Sequence, residues 1–203
     1  MKTIACLGTG PSIIPRQVET ARKKAVLFAC NDAFRLAPDC TVLHACNYEW
    51  WDHRWDEVKD LPAIKTTIFE DTAKKYGIQY IPGRWYSGLS EKPVISYGHS
   101  AGFQLLNLAY HEKPDRILLL GYDMRFAADY DGKARRVGSS PRHFFGEYPK
   151  ELQHWPSVKV KDGVHVELLD LYRSVAKQGL VEIINCSPGS ALDCFPVADI
   201  EDV

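Results

Sequence analysis

Short apolar runs recur along the chain at Thr3–Leu7, Ala25–Cys30, Thr41–Cys46, Ile64–Phe69, Arg116–Gly121 and Val181–Cys186. They are continuous rather than alternating, which is the pattern of strands covered on both faces. Between them the spacing predicts helices over Pro15–Lys24, Glu49–Lys59, Asp71–Tyr76, His99–Glu112 and Gly163–Lys177. Strands that alternate with helices predict an α/β chain: three layers, α/β/α, around a mostly parallel sheet. Two stretches break the rhythm. Tyr122–Lys161 is long, basic and rich in glycine and proline, and is expected to be a lid over about 122–161. Gly77–Pro93 is a second irregular excursion, and Val94–Tyr97 a possible short strand. Residues 1–203 are expected to form one domain.

Composition narrows the class. Of the 203 residues, 45% are apolar and 25% charged, an ordinary globular balance that excludes collagen, coiled coil and disorder. No apolar run has the length of a membrane span, and Met1–Ile4 enters a strand pattern at once, so neither a membrane span nor a signal peptide is expected. The net charge of −1 disfavours a dedicated DNA-binding module, although Lys133, Arg135, Arg136 and Arg142 make the middle of the long stretch basic. Six cysteines without a C-x-x-C pair fit a reduced, cytoplasmic chain. Cys40, His44 and Cys46 are close in sequence, but two of them lie in an apolar run and further ligands are not evident, so no metal is expected.

The chemistry is expected where strands end, because ligands of open parallel sheets bind beyond the carboxyl ends. Those exits carry Gly8-Thr9-Gly10-Pro11-Ser12, then Asn31-Asp32, then Asn47, then Tyr122-Asp123-Met124-Arg125, then Ser187-Pro188-Gly189-Ser190. The first is a strand–turn–helix glycine loop of the kind that approaches phosphate, without the lysine of a Walker loop or the third glycine of a dinucleotide fingerprint. Gly98-His99-Ser100-Ala101-Gly102 has two readings. It is a formal nucleophile elbow, with Asp123 and a later histidine completing a hydrolase order. It is equally a helix start, with Ser100 as cap and Ala101 and Gly102 allowing close approach of a ligand. Tyr48, Trp50, Trp51, His53 and Trp55 form an aromatic cluster that could stack on sugars or bases or pack a helix on the sheet.

In this order, G-x-G-P-S, Cys30-Asn31, Asn47, Ser100-Ala101-Gly102-Phe103, Gly121-Tyr122-Asp123 and Asn185-Cys186-Ser187-Pro188 with Ser190 resemble the bacterial sialyltransferases of glycosyltransferase family 42. The resemblance extends to the broader DUF115-type proteins, some of them pterin pyrophosphokinase-like. It implies a Rossmann-like domain with a lid, a CMP-sugar donor and no essential metal or cofactor. Gly8–Ser12, Asn31 and Asn47 would meet the nucleotide, and Ser187–Ser190 the base. A lid histidine would deprotonate the acceptor hydroxyl: His154 fits by distance from Asp123, His143 is the other choice, and His165 lies on a helix face. Tyr130 matches a tyrosine that holds the departing phosphate, whereas Arg125 falls where another such tyrosine is expected and Thr9 where the family has asparagine.

The sequence is therefore read as a glycosyltransferase moving a sugar from a nucleotide-sugar to a hydroxyl. The acceptor is expected to be a glycan, with a modified DNA base as the other option, and the chain to be a possible homo-oligomer. Arg125, Lys133, Arg135 and Arg136 would stand in for a metal at the leaving phosphate. The alternatives are a serine hydrolase at Ser100, and a nucleotide-binding or pyrophosphokinase-like protein using Asp32 and Asp123 for magnesium.

Overall fold

A computed structural model describes residues 1–125, 143–152, 160–161 and 163–203. The chain folds as a Rossmann-like α/β structure around a seven-stranded parallel sheet. Its strands are β1 (Thr3–Leu7), β2 (Val26–Cys30), β3 (Val42–His44), β4 (Ile64–Thr67), β5 (Gln79–Tyr80), β8 (Arg116–Leu120) and β11 (Glu182–Asn185), in the order β11-β8-β1-β2-β3-β4-β5. Two short ribbons lie apart: parallel β6 (Gly83–Arg84) and β7 (Ile95–Ser96), and antiparallel β9 (Val160–Lys161) and β10 (Val164–His165). The helices are α1 (Pro15–Lys24), α2 (Tyr48–Val58), α3 (Glu70–Tyr76), α4 (Ala101–His111) and α5 (Val166–Gln178).

Alternate residues of the central strands serve two cores, because successive side chains point to opposite faces. Ala5, Leu7, Leu27, Ala29 and Leu43 pack with Val18 and Ala21 of α1 and with Trp50, Trp51 and Val58 of α2. Ile4, Cys6, Phe28, Cys30 and Val42 pack with Phe103, Leu105, Leu106 and Ala109 of α4 and Leu168, Leu169 and Tyr172 of α5. Both faces of the strands are apolar, which is why their sequences run without polar alternation.

Two expectations need adjustment. α5 begins at Val166 rather than Gly163, because Gly163 turns with positive φ and Val164–His165 pair with Val160–Lys161. Gln79–Tyr80, inside the expected irregular excursion, adds an edge strand beside β4. The expected lid falls mostly on residues outside those described; of it, 143–152 return to the sheet. Among the described residues no helix is long and apolar enough to cross a membrane.

Candidate functional site

β1 is flanked by β2 on one side and β8 on the other, so successive connections leave it in opposite directions. That divergence opens a crevice at the carboxyl ends. A cleft of about 230 Å3 lies there, lined by Gly8, Thr9, Gly10 and Pro11 after β1, Cys30 and Asn31 after β2, and Ser100, Ala101 and Gly102 at the start of α4. Gly121–Arg125 after β8 close the far wall, with His143, His165 and Leu168 above.

The β1 and β8 exits are clasped together. The amides of Gly8 and Gly10 donate to the carbonyls of Leu120 (2.8 Å) and Gly121 (3.0 Å). The Ser12 amide and hydroxyl both donate to the Asp123 carboxylate, at 3.2 and 2.9 Å. A Cβ on Gly8 would sit 2.5 Å from the Gly121 carbonyl oxygen, and one on Gly10 would sit 1.8 Å from Asp123 Oδ2. The glycines are thus required by the approach of one strand exit to the other. Within this loop the amides of Gly8, Gly10 and Ser12 are engaged by protein acceptors, while Gly8–Pro11 line the cleft. Burial raises the Asp123 carboxyl above its usual range, opposed by the two Ser12 bonds.

The anion-seeking groups are elsewhere in the cleft. The Ser100 hydroxyl accepts the Phe103 amide at 3.2 Å and caps α4. The amides of Ala101 and Gly102, in the first turn, have no intrahelical acceptor and border the cleft. Tyr122, fully buried, donates its hydroxyl to the Gly102 carbonyl at 3.0 Å and fixes that turn. Arg125 is exposed at the mouth, its Nη1 3.4 Å from the Gly189 carbonyl oxygen.

His143 reaches the same cleft. Its Nδ1 lies 3.0 Å from Thr9 Oγ1, and the Phe144 amide donates to the Thr9 carbonyl at 3.1 Å. The ring is stacked on Phe145, with centroids 5.1 Å apart, and Tyr148 meets it edge-on at 4.8 Å. His165 also borders the cleft, and burial lowers its pKa to about 4. It entered the sequence reading only as a third choice of histidine. His154 and Tyr130 lie outside the described residues, as do Lys133, Arg135 and Arg136.

Several expected binding residues serve the framework instead. Asp32 is fully buried and accepts from Trp50 Nε1 (2.7 Å), Arg54 Nη2 (2.9 Å) and Arg35 Nε (3.3 Å), tying the β2 exit to α2. Asn47 is not among the cleft's lining residues, and its Oδ1 accepts from Cys46 Sγ at 3.1 Å. Ser187 accepts the Tyr122 amide at 2.9 Å and donates to the Leu119 carbonyl at 3.2 Å. Ser190 donates to the Tyr122 carbonyl at 2.6 Å. Ser187 and Ser190 therefore buttress the β8 exit from behind. The aromatic cluster is core only in part: Trp50 and Trp51 are buried, the indole of Trp51 donating to the Ala45 carbonyl at 3.0 Å, and Trp55 is half-buried, whereas Tyr48 and His53 are exposed.

Among the described residues no Ser100–histidine–Asp123 arrangement is seen, and His154 lies outside them. Ser100 caps a helix, and the Asp123 carboxylate holds Ser12 rather than a histidine. His44, close to Cys40 and Cys46 in sequence, is buried between Thr66 Oγ1 (2.9 Å) and Gln104 Oε1 (2.8 Å). Among the described residues no group of three His, Cys, Asp or Glu could hold a metal ion.

A second cavity of about 510 Å3 opens at the opposite edge of the sheet, over Ile4, Phe28 and Val42. Its rim charges, Lys2, Lys92 and Glu112, pair with one another, so the chemistry concentrates in the smaller cleft. The chain matches no protein-family model, no curated protein and no solved structure.

Proposed function

We propose that the protein is a glycosyltransferase of the sialyltransferase-like type, taking a nucleotide-sugar donor of the CMP-sugar kind and a hydroxyl acceptor. The observation that carries this reading is the placement of His143, Arg125 and the first turn of α4 around one cleft at the switch between β1 and β8. In this reading His143 is the tautomer whose Nδ1–H donates to Thr9 Oγ1, 3.0 Å away, which leaves Nε2 as the basic nitrogen. Nε2 takes the acceptor hydroxyl's proton as the oxygen attacks the anomeric carbon. The bond to the nucleotide phosphate breaks, and the departing phosphate carries the electron pair away. The amides of Ala101 and Gly102 and the Arg125 guanidinium would stabilise that charge, as preorganised donors do.

In this reading the acceptor is a glycan and the site of action the cytoplasm, where all six cysteines, free in the structure, stay reduced. The test is turnover of CMP-, UDP- and GDP-sugars, in EDTA, by the wild type and His143→Ala. Loss of the base is expected to lower kcat by about 10²–10⁴-fold while leaving nucleotide affinity in place. Equal turnover by His143→Ala would overturn the assignment of the base. Activity abolished by EDTA and restored by magnesium would overturn the metal-free reaction.

A further inference from the structure

Of the tryptophans that the sequence draws attention to, Trp50 and Trp51 are buried and Trp55 half-buried, but another is exposed. Trp85 is 67% exposed and Tyr86 46% exposed. Trp85 follows β6, and β6 runs parallel to β7, with the Tyr97 amide donating to the Arg84 carbonyl at 3.0 Å. Trp85 therefore emerges beside Tyr97, at the end of the ribbon that leads into Ser100 and the cleft. Its ring centroid lies 5.1 Å from that of Tyr97, edge-on, and 4.5 Å from that of His99.

The backbone is bent to make this arrangement. Gly98 and His99 both have positive φ, 53° and 55°. For a histidine that conformation is uncommon and persists where the surroundings impose it. Here it brings the exposed His99 ring against Trp85 and delivers the next residue, Ser100, to the cap of α4. An indole of this exposure, backed by two rings, has nothing to bury in the chain itself. Exposed aromatic surface flanked by polar groups marks a place where something else sits.

We propose that Trp85, with His99 beside it, is a platform for a sugar ring of the acceptor. This rests on the transferase reading of the neighbouring cleft. The weakly positive C–H face of a pyranose stacks on the negative face of an indole. His99, exposed and 4.5 Å from the indole by ring centroids, supplies hydrogen-bonding groups at the sugar ring's edge for its hydroxyls. The platform joins the cleft through one residue, His99 to Ser100, so a glycan stacked there lies at the mouth where a hydroxyl must enter.

The indole N–H signals of the five tryptophans resolve this by two-dimensional NMR, with Trp85 assigned by its loss in Trp85→Phe. The probes are methyl β-galactoside and methyl β-glucoside, CMP, and the dinucleotide thymidylyl-thymidine, each titrated alone. A glycoside is expected to move the Trp85 signal saturably. Trp85→Ala is expected to weaken glycoside binding about tenfold or more with CMP binding unchanged, and Trp85→Phe to retain part of it. Exposure at this site leaves the fold intact in both variants, which their melting temperatures check. If CMP binds and neither glycoside moves Trp85, the platform is wrong and the transferase reading stands. If a glycoside moves Trp85 and no nucleotide binds, the platform stands and the transferase reading fails. A response to the dinucleotide at lower concentration than to either glycoside would make this a nucleobase platform and overturn the sugar assignment.

Discussion

His143 owes its position to Thr9. The hydroxyl lies 3.0 Å from Nδ1, and the Phe144 amide on the Thr9 carbonyl anchors the backbone that carries the imidazole; in the proposed reaction this contact fixes which nitrogen is the base. Thr9→Val keeps the shape and removes the hydroxyl. Its expected effect is a lower kcat, by about tenfold for the loss of one orienting hydrogen bond, with nucleotide affinity unchanged. Steady-state kinetics beside a nucleotide titration separate the two; an unchanged kcat would show that Thr9 does not orient the base. Gly10 makes a sharper prediction. A methyl there overlaps Asp123 Oδ2, so Gly10→Ala must break the Ser12–Asp123 clasp or move a strand exit. The expected loss is about 1–3 kcal/mol in a urea titration, the usual cost of overpacking. At this scale the sequence is legible in part. It marks Gly8, Gly10 and Asp123 as special residues, yet their reason is one another. That contact spans over a hundred positions, which no local pattern encodes.

Elements were easier to read than the contacts among them. The six apolar runs all contain strands, because burial on both faces leaves a strong local signature. β5 left none, being two exposed residues at the sheet edge. Strand order was not legible either, since it depends on pairing between distant segments. The order puts the β3 exit two strands from β1, which is why Asn47 stands off the cleft while Asn31 borders it. α2 shows how an apparent site residue can be a tether. Asp32 receives the Trp50 indole and the Arg54 and Arg35 guanidinium groups, and Glu57 pairs with both arginines. Asp32→Ala leaves Arg54, its side chain 11% exposed, without its buried partner. Breaking such a pair costs about 3–5 kcal/mol. A denaturant titration showing a loss below about 1 kcal/mol would contradict the tether.

For the whole molecule, buried histidines set an acid limit. Burial pushes both His44 and His165 down from an ordinary 6.5 to about 4, so the folded chain holds them neutral. Between those values the unfolded chain binds protons that the folded chain does not. The stability they contribute is fully present above 6.5, falls as the pH drops through 6.5, and is gone by about 4. A shift of that size at fully buried His44 corresponds to about 3 kcal/mol. Unfolding free energies measured from neutral pH to pH 4 in the wild type and in His44→Gln are expected to converge as the pH falls. Parallel curves would contradict a neutral buried imidazole.

The proposed transferase needs a nucleotide in the cleft where the sheet's connections diverge, with its phosphate facing α4 and Arg125. Calorimetric titration of CMP in EDTA tests it most directly, with the wild type beside Arg125→Glu. Arg125 is exposed, and its side-chain hydrogen bond among those described is to the Gly189 carbonyl; because its charge also favours the ionised Asp123 carboxylate, the melting temperature of the variant is measured beside its affinity. The account predicts saturable binding by the wild type and a loss of about tenfold or more in the variant, as expected when a charged partner of the phosphate is reversed. Absence of binding by the wild type, or equal affinity in Arg125→Glu, would contradict it.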